Sequence, residues 1–186
     1  MAAWHKVAGM PDQVAISAHG PRAGTIEAYA SALATGAEYV EFDIRRTGDA
    51  ELAAFHNFVV TTLEDESIAA LKARFPEVPV ALSLGRDLSE VPGPRRITTR
   101  LSELRPMRRL RACRADWAAV NQQLARAGVL AQCHRAGIKT MIWTVDEDEE
   151  MRRWLADPRV TVLITNRPAE AVAIRASVRP GASPGA

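Results

Sequence analysis

GAEYVEFDIRRTGDAELAAFHNFVV, residues 36–60, is the stretch on which the fold turns. Tyr39–Arg45 reads as an apolar strand interrupted by Glu41 and Asp43. Residues two apart on a strand project to the same side, so the two acids share a face. Two carboxylates in one low-dielectric place repel unless one is protonated or a cation lies between them. Arg45 and Arg46 offer the plainer alternative of surface ion pairing. Gly48-Asp49 marks a turn, and Leu52–His56 reads as a continuation of the strand. Phe58–Thr62 then follows as another strand with almost nothing between.

Outward from this stretch, strands and helices alternate. Val14–Ala18 is a strand, and Thr25–Ala34 is a helix closed by Gly36. Downstream strands are expected at Val78–Leu84, Trp117–Asn121, Thr140–Val145 and Val160–Thr165. Helices are expected at Asp65–Phe75, Leu124–Ala136, Glu147–Ala156 and Ala169–Ala176, with a helical turn near Asp87–Glu90. Leu101–Arg111 reads as helical or irregular. Seven βα repeats with apolar strands argue for a parallel sheet covered on both faces. A barrel and an open doubly wound sheet both satisfy that pattern. No phosphate-binding glycine motif follows a strand, so nucleotide binding gains no support.

The chain has 186 residues, 47% apolar and 25% charged, with a net charge of +2. That composition suits one globular domain, expected over residues 1–176, with a disordered tail over 177–186. The small net charge does not point to a polyanion. Residues 95–114 hold eight arginines but no aromatic residue. A stacking platform for nucleic acid is therefore missing, and a solvated face is expected instead. Cys113 and Cys133 lack metal-ligand spacing, and a reduced, cytoplasmic protein is expected. No segment reads as a membrane span or a secretory signal.

Polar residues at the C-terminal ends of strands are the candidates for chemistry. His19 ends the first strand, Glu41 and Asp43 lie on the second, and His56 closes the next run. Oxygen ligands suit a hard divalent ion, Mg²⁺ or Ca²⁺. Two imidazoles beside it could serve as acid and base. His5 and His134 read as surface residues. Glu64 and Asp65 read as the acidic first turn of a helix.

AHG at 18–20, the 36–57 stretch, GIKTMIWTVDEDEEM at 137–151 and DPRVTVLITNRP at 157–168 resemble the glycerophosphodiester phosphodiesterases. The resemblance spans roughly residues 14–176. It implies an α/β TIM-barrel-like (β/α) barrel, here incomplete with about seven parallel strands. It implies metal-dependent hydrolysis of glycerophosphodiesters to glycerol 3-phosphate and an alcohol, a reaction of lipid metabolism. Carried residue by residue, it implies His19 and His56 as the acid/base pair and Glu41 and Asp43 as metal ligands. Trp143 matches an apolar wall near the glycerol, with a plain core tryptophan as the alternative.

Three departures from that family's pattern qualify the expectation. The arginine that usually follows the first histidine is replaced by Gly20, leaving Arg22 as a substitute phosphate ligand. Asn57 stands where an aspartate usually follows the second histidine. A βα unit carrying a third metal ligand is missing after Asn57. Losing a strand either exposes two sheet edges, which invites a homodimer, or closes the ring with another shear. The alternatives to a weak phosphodiesterase are an impaired barrel acting as a binding or scaffold module, and a phospholipase D-like relative.

Overall fold

The computed structural model describes residues 13–19, 26–43 and 58–178. Its seven strands are β1 (Ala15–Ala18), β2 (Tyr39–Asp43), β3 (Phe58–Thr62), β4 (Val80–Leu84), β5 (Trp117–Asn121), β6 (Lys139–Trp143) and β7 (Val162–Thr165). All pair in parallel with their chain neighbours, and β7 returns to β1, so the strands form a closed barrel. At the seam, Glu41 pairs with Val59 and Asp43 with Thr61. The closure removes the free edges on which the expected homodimer rested. Among the described strands there is no edge left for a second copy to extend.

The ring closes with seven described strands around an interior partly filled by small side chains. Inward positions alternate with outward ones along each strand. Ala15, Ala81, Ala119, Met141, Val162 and Ile164 form the interior cluster, against which Tyr39, Trp117 and Trp143 pack. Three of the six are alanine, where an eight-stranded barrel is usually filled by bulky branched residues. Fewer strands give a narrower barrel, and small side chains fit it. The outward positions, among them Ile16, Val60, Leu82, Val120, Ile142 and Leu163, build a larger second core beneath the helices. Burying each such side chain stabilises the fold by roughly 1.5–3 kcal/mol.

The helices are α1 (Ile26–Ala34), α2 (Asp65–Arg74), α3 (Gly93–Leu104), α4 (Met107–Cys113), α5 (Gln122–Leu124), α6 (Leu130–Arg135), α7 (Asp148–Ala156) and α8 (Pro168–Ser177). The stretch expected to be helical or irregular is two helices, broken where Pro106 follows Arg105. The single helix expected at Leu124–Ala136 is interrupted by a wide turn over Ala125–Val129. There Gly128 adopts φ 100°, which side-chain-bearing residues rarely tolerate. Helix α8 ends at Ser177, and Val178 packs on the outer core, just past the domain boundary expected at residue 176. Residues 44–57, which join β2 to β3 and include the expected Leu52–His56 strand, lie outside the described residues.

Most of the arginine run is exposed, as expected, and Arg100 and Arg109 are part-buried. Arg109 grips the Asp65 carboxylate through Nε and Nη2, tying α4 to the start of α2. Arg96 donates to the Val91 carbonyl at 2.9 Å, and Arg100 pairs with the buried Glu103 at 2.8 Å. These three turn back onto the protein and lock the segment after β4. No described helix is long and apolar enough to cross a membrane.

Candidate functional site

The site is assembled where β7, β1, β2 and β3 lie side by side. His19 follows β1 directly, and its backbone N–H donates to the Thr165 carbonyl at 2.8 Å. That bond extends the β1–β7 ladder by one step and sets His19 beside Asn166, the first residue after β7. The His19 Nδ1 lies 3.2 Å from Asn166 Oδ1. Its other ring nitrogen, Nε2, lies 3.8 Å from Glu41 Oε2. The ring is thus spanned between two elements, with 37% of its side chain open to solvent.

Glu41 is buried, with 4% of its surface exposed. Burying a carboxylate is costly unless it is hydrogen-bonded. Its Oε1 accepts from the Thr61 hydroxyl at 2.5 Å. Thr61 is presented by β3, so the β2–β3 seam itself holds the carboxylate toward the ring of His19. Thr61 was not singled out in the sequence. The signal was the period-two register, which puts Thr61 inward opposite Asp43.

Asp146 and Asn166 are the further residues that sequence reasoning missed. Asp146 Oδ1 accepts from Thr165 Oγ1 at 3.0 Å and from the Asn166 backbone N–H at 2.9 Å. Its Oδ2 accepts from Asn166 Nδ2 at 2.7 Å. Arg167 closes the loop by donating Nη1 to the Asp146 carbonyl at 2.6 Å. Burial alone would raise the Asp146 pKa, but the bonds from Asn166 and Thr165, with His19 nearby, hold it below the usual carboxylate value. Both residues stand just beyond strand ends, in the WTVD and ITNRP runs. Polar residues at that position were the available signal.

The remaining sequence candidates divide clearly. Asp43 ends β2, two positions beyond Glu41. His56 and Arg22, with Gly20 and Asn57, lie outside the described residues. Trp143 ends β6, half-buried against the interior cluster. Asp65 is held by Arg109, and Glu64 accepts from the Ser67 hydroxyl, so both serve the start of α2. Glu41 has the right chemistry for a hard cation: a buried oxygen donor. Yet among the described residues no group of three or more His, Cys, Asp or Glu comes together. Those residues alone do not complete a cation site.

The model of the glycerophosphoryl diester phosphodiesterase family matches residues 16–81, the span that carries His19, Glu41 and Thr61. No curated protein sequence matches the chain. Among solved structures, the fold is similar to a glycerophosphodiester phosphodiesterase from Parabacteroides distasonis. The two share 14% identity and a TM-score of 0.62, over 88% of this chain and 97% of that one. A glycerophosphodiester phosphodiesterase from Agrobacterium tumefaciens is similar at 15% identity and a TM-score of 0.56, over 86% and 99%. A 7,8-dihydropteroate synthase from Vibrio fischeri also aligns, at 13% identity and a TM-score of 0.52, over 89% and 92%. At such identities structural likeness speaks for the barrel, since barrels host unrelated chemistries. The likeness to the phosphodiesterase family rests on the sequence of residues 16–81.

Proposed function

We propose that this chain, whose residues 16–81 belong to the glycerophosphoryl diester phosphodiesterase family of phosphoric diester hydrolases, hydrolyses a glycerophosphodiester to glycerol 3-phosphate and an alcohol. The observation that carries the reading is the imidazole of His19. It is held at Nδ1 by Asn166, with Nε2 3.8 Å from the buried carboxylate of Glu41 at the barrel mouth. A ring anchored at one nitrogen and open at the other can move a proton to or from a bound substrate.

In this reading a proton leaves the glycerol hydroxyl for one histidine of the His19/His56 pair. The hydroxyl oxygen bonds to phosphorus, and the bond to the alcohol breaks. The second histidine protonates the departing alkoxide. Water then opens the cyclic phosphate by the reverse proton transfers. Glu41 and Asp43 would hold a divalent cation, which when bound neutralises charge on the phosphodiester. Trp143 would wall the glycerol, and Arg22 would donate to a phosphate oxygen. The reading keeps the protein in the cytoplasm, in line with its free cysteines, Cys113 and Cys133.

Hydrolysis of glycerophosphocholine with Mg²⁺ or Ca²⁺ tests the proposal. We expect His19→Ala to lower kcat on the order of 10³-fold, about 4 kcal/mol in the barrier. Glu41→Gln should weaken cation binding measured by calorimetry. Turnover that is absent in the wild type with either metal, or unchanged in His19→Ala, would overturn it.

A further inference from the structure

Three polar side chains, Asp146, Asn166 and His19, form one hydrogen-bonded line across the β6, β7 and β1 ends. An ionised carboxylate is an acceptor only. Asp146 Oδ2, 2.7 Å from Asn166 Nδ2, can therefore face only the amide nitrogen. With the nitrogen turned to Asp146, the amide oxygen must face His19, where it lies 3.2 Å from Nδ1. A carbonyl oxygen also only accepts, so Nδ1 must carry the proton. The lone pair of a neutral His19 is then left on Nε2, the nitrogen on the Glu41 side.

We propose that Asp146 is a positioning residue that sets the tautomer of His19 through the orientation of the Asn166 amide. The inference rests on the proposed use of His19 as a proton carrier, and it adds a reason why Nε2 is the working nitrogen. The line is rigidly anchored. Thr165 Oγ1 and the Asn166 N–H hold Asp146 Oδ1, and Arg167 holds the Asp146 carbonyl. Asn166 therefore cannot satisfy its neighbours in the flipped orientation while Asp146 is ionised. Which nitrogen of a histidine is protonated is set by what its other nitrogen bonds, and here that choice is passed on from a carboxylate one residue away.

The same logic makes a sharp substitution series. In Asp146→Asn, the new amide keeps its oxygen on Thr165 Oγ1 and the Asn166 N–H and turns its NH₂ toward Asn166. Asn166 must then flip, present its own NH₂ to Nδ1, and move the His19 proton to Nε2. In the exchange variant Asp146→Asn with Asn166→Asp, residue 146 donates to the new carboxylate, and that carboxylate accepts from Nδ1–H. The bond between His19 and residue 166 thereby regains its wild-type direction, while the bond between residues 146 and 166 runs the other way.

The test is the ring nitrogen spectrum of His19 in ¹⁵N-histidine-labelled full-length protein near pH ~8, above the ordinary imidazole range. His19→Gln assigns the signals among the four histidines. We expect Nδ1–H in the wild type, Nε2–H in Asp146→Asn, and Nδ1–H again in the exchange variant. On glycerophosphocholine, kcat should fall on the order of 10²-fold in Asp146→Asn with KM nearly unchanged, and recover in the exchange variant. A folded Asp146→Asn protein that keeps Nδ1–H overturns the inference. So does an exchange variant of wild-type melting temperature that fails to restore it. The tautomer is read without substrate, so a chain that cleaves no glycerophosphodiester fails the proposed function and still decides this inference.

Discussion

Two loops at the same end of the barrel are each built on one carboxylate, and they differ in where its bonds lead. After β4, Glu103 reaches in from α3 with 1% of its surface exposed. Its Oε1 accepts from the backbone N–H of Gly85 at 3.0 Å and of Arg86 at 2.8 Å, and its Oε2 takes Arg100 at 2.8 Å. Each of these bonds ends on the loop or on its own helix. After β6, Asp146 likewise accepts a backbone N–H, but its second oxygen leads through Asn166 to an imidazole open to solvent. A carboxylate whose bonds close on the fold holds the fold. One whose bonds run on to a titratable ring at the barrel mouth serves the site.

The contrast breaks if the two substitutions behave alike, and the larger effect is expected at Glu103. Glu103→Ala removes the acceptor of two backbone N–H groups and of the Arg100 guanidinium. Removing one partner of a buried, hydrogen-bonded charge typically costs about 3–5 kcal/mol. Chemical denaturation should show a loss of that order, while kcat of the protein that remains folded stays within a few-fold of wild type. A stability change under about 1 kcal/mol would mean that the loop after β4 does not depend on this carboxylate.

Gly85→Ala sharpens the same point from the other side of the contact. Gly85 has φ +121°, and an added Cβ would lie 2.3 Å from Asn121 Cβ on the neighbouring strand. Neither partner is the end of a flexible side chain, so the backbone must shift. Strained φ and overpacking together suggest a loss of about 3 kcal/mol. Thermal unfolding checks it. Because Asn121 ends β5, displacement there opens the ring at β4–β5, opposite the His19–Glu41 seam. A melting temperature unchanged from wild type would show that the loop has slack.

The strands were legible because parallel, doubly buried strands are short apolar runs between helices, and β3 and β5 fall where their residues predict. His19 and Glu41 were legible as polar residues at strand ends. Ring closure was not, because pattern counts strands without saying whether the last meets the first. The relevant clue was modest: Ala15, Ala81 and Ala119 on inward positions leave room for a tight ring. Asn166 was hidden by distance, since it meets His19 across 147 residues of chain, and only the β1–β7 pairing joins them. Glu103 was hidden by company. In a run of arginines it reads as one more surface acid, and nothing local says that it turns inward.

The smallest expected effect is the pH dependence that Asp146 gives to stability. Bonds from Asn166 and Thr165 outweigh burial and hold Asp146 below its ordinary pKa in the folded protein. A depressed carboxylate contributes stability that is fully present above the unfolded value near ~3.9 and is lost as pH falls through the folded value. Asparagine at 146 has the same shape as aspartate and does not titrate. Wild type should therefore exceed Asp146→Asn in stability at pH 6, by less than about 1 kcal/mol for a part-exposed group. The difference should shrink on acidification below pH ~4. Asp87 and Asp157, also held below the ordinary value, titrate in both proteins and cancel from the difference. Melting temperatures of the pair at pH 6 and near pH ~3 decide it. A gap that stays constant means that the folded protein does not favour the ionised Asp146, and the line to His19 then loses the charge that orients it.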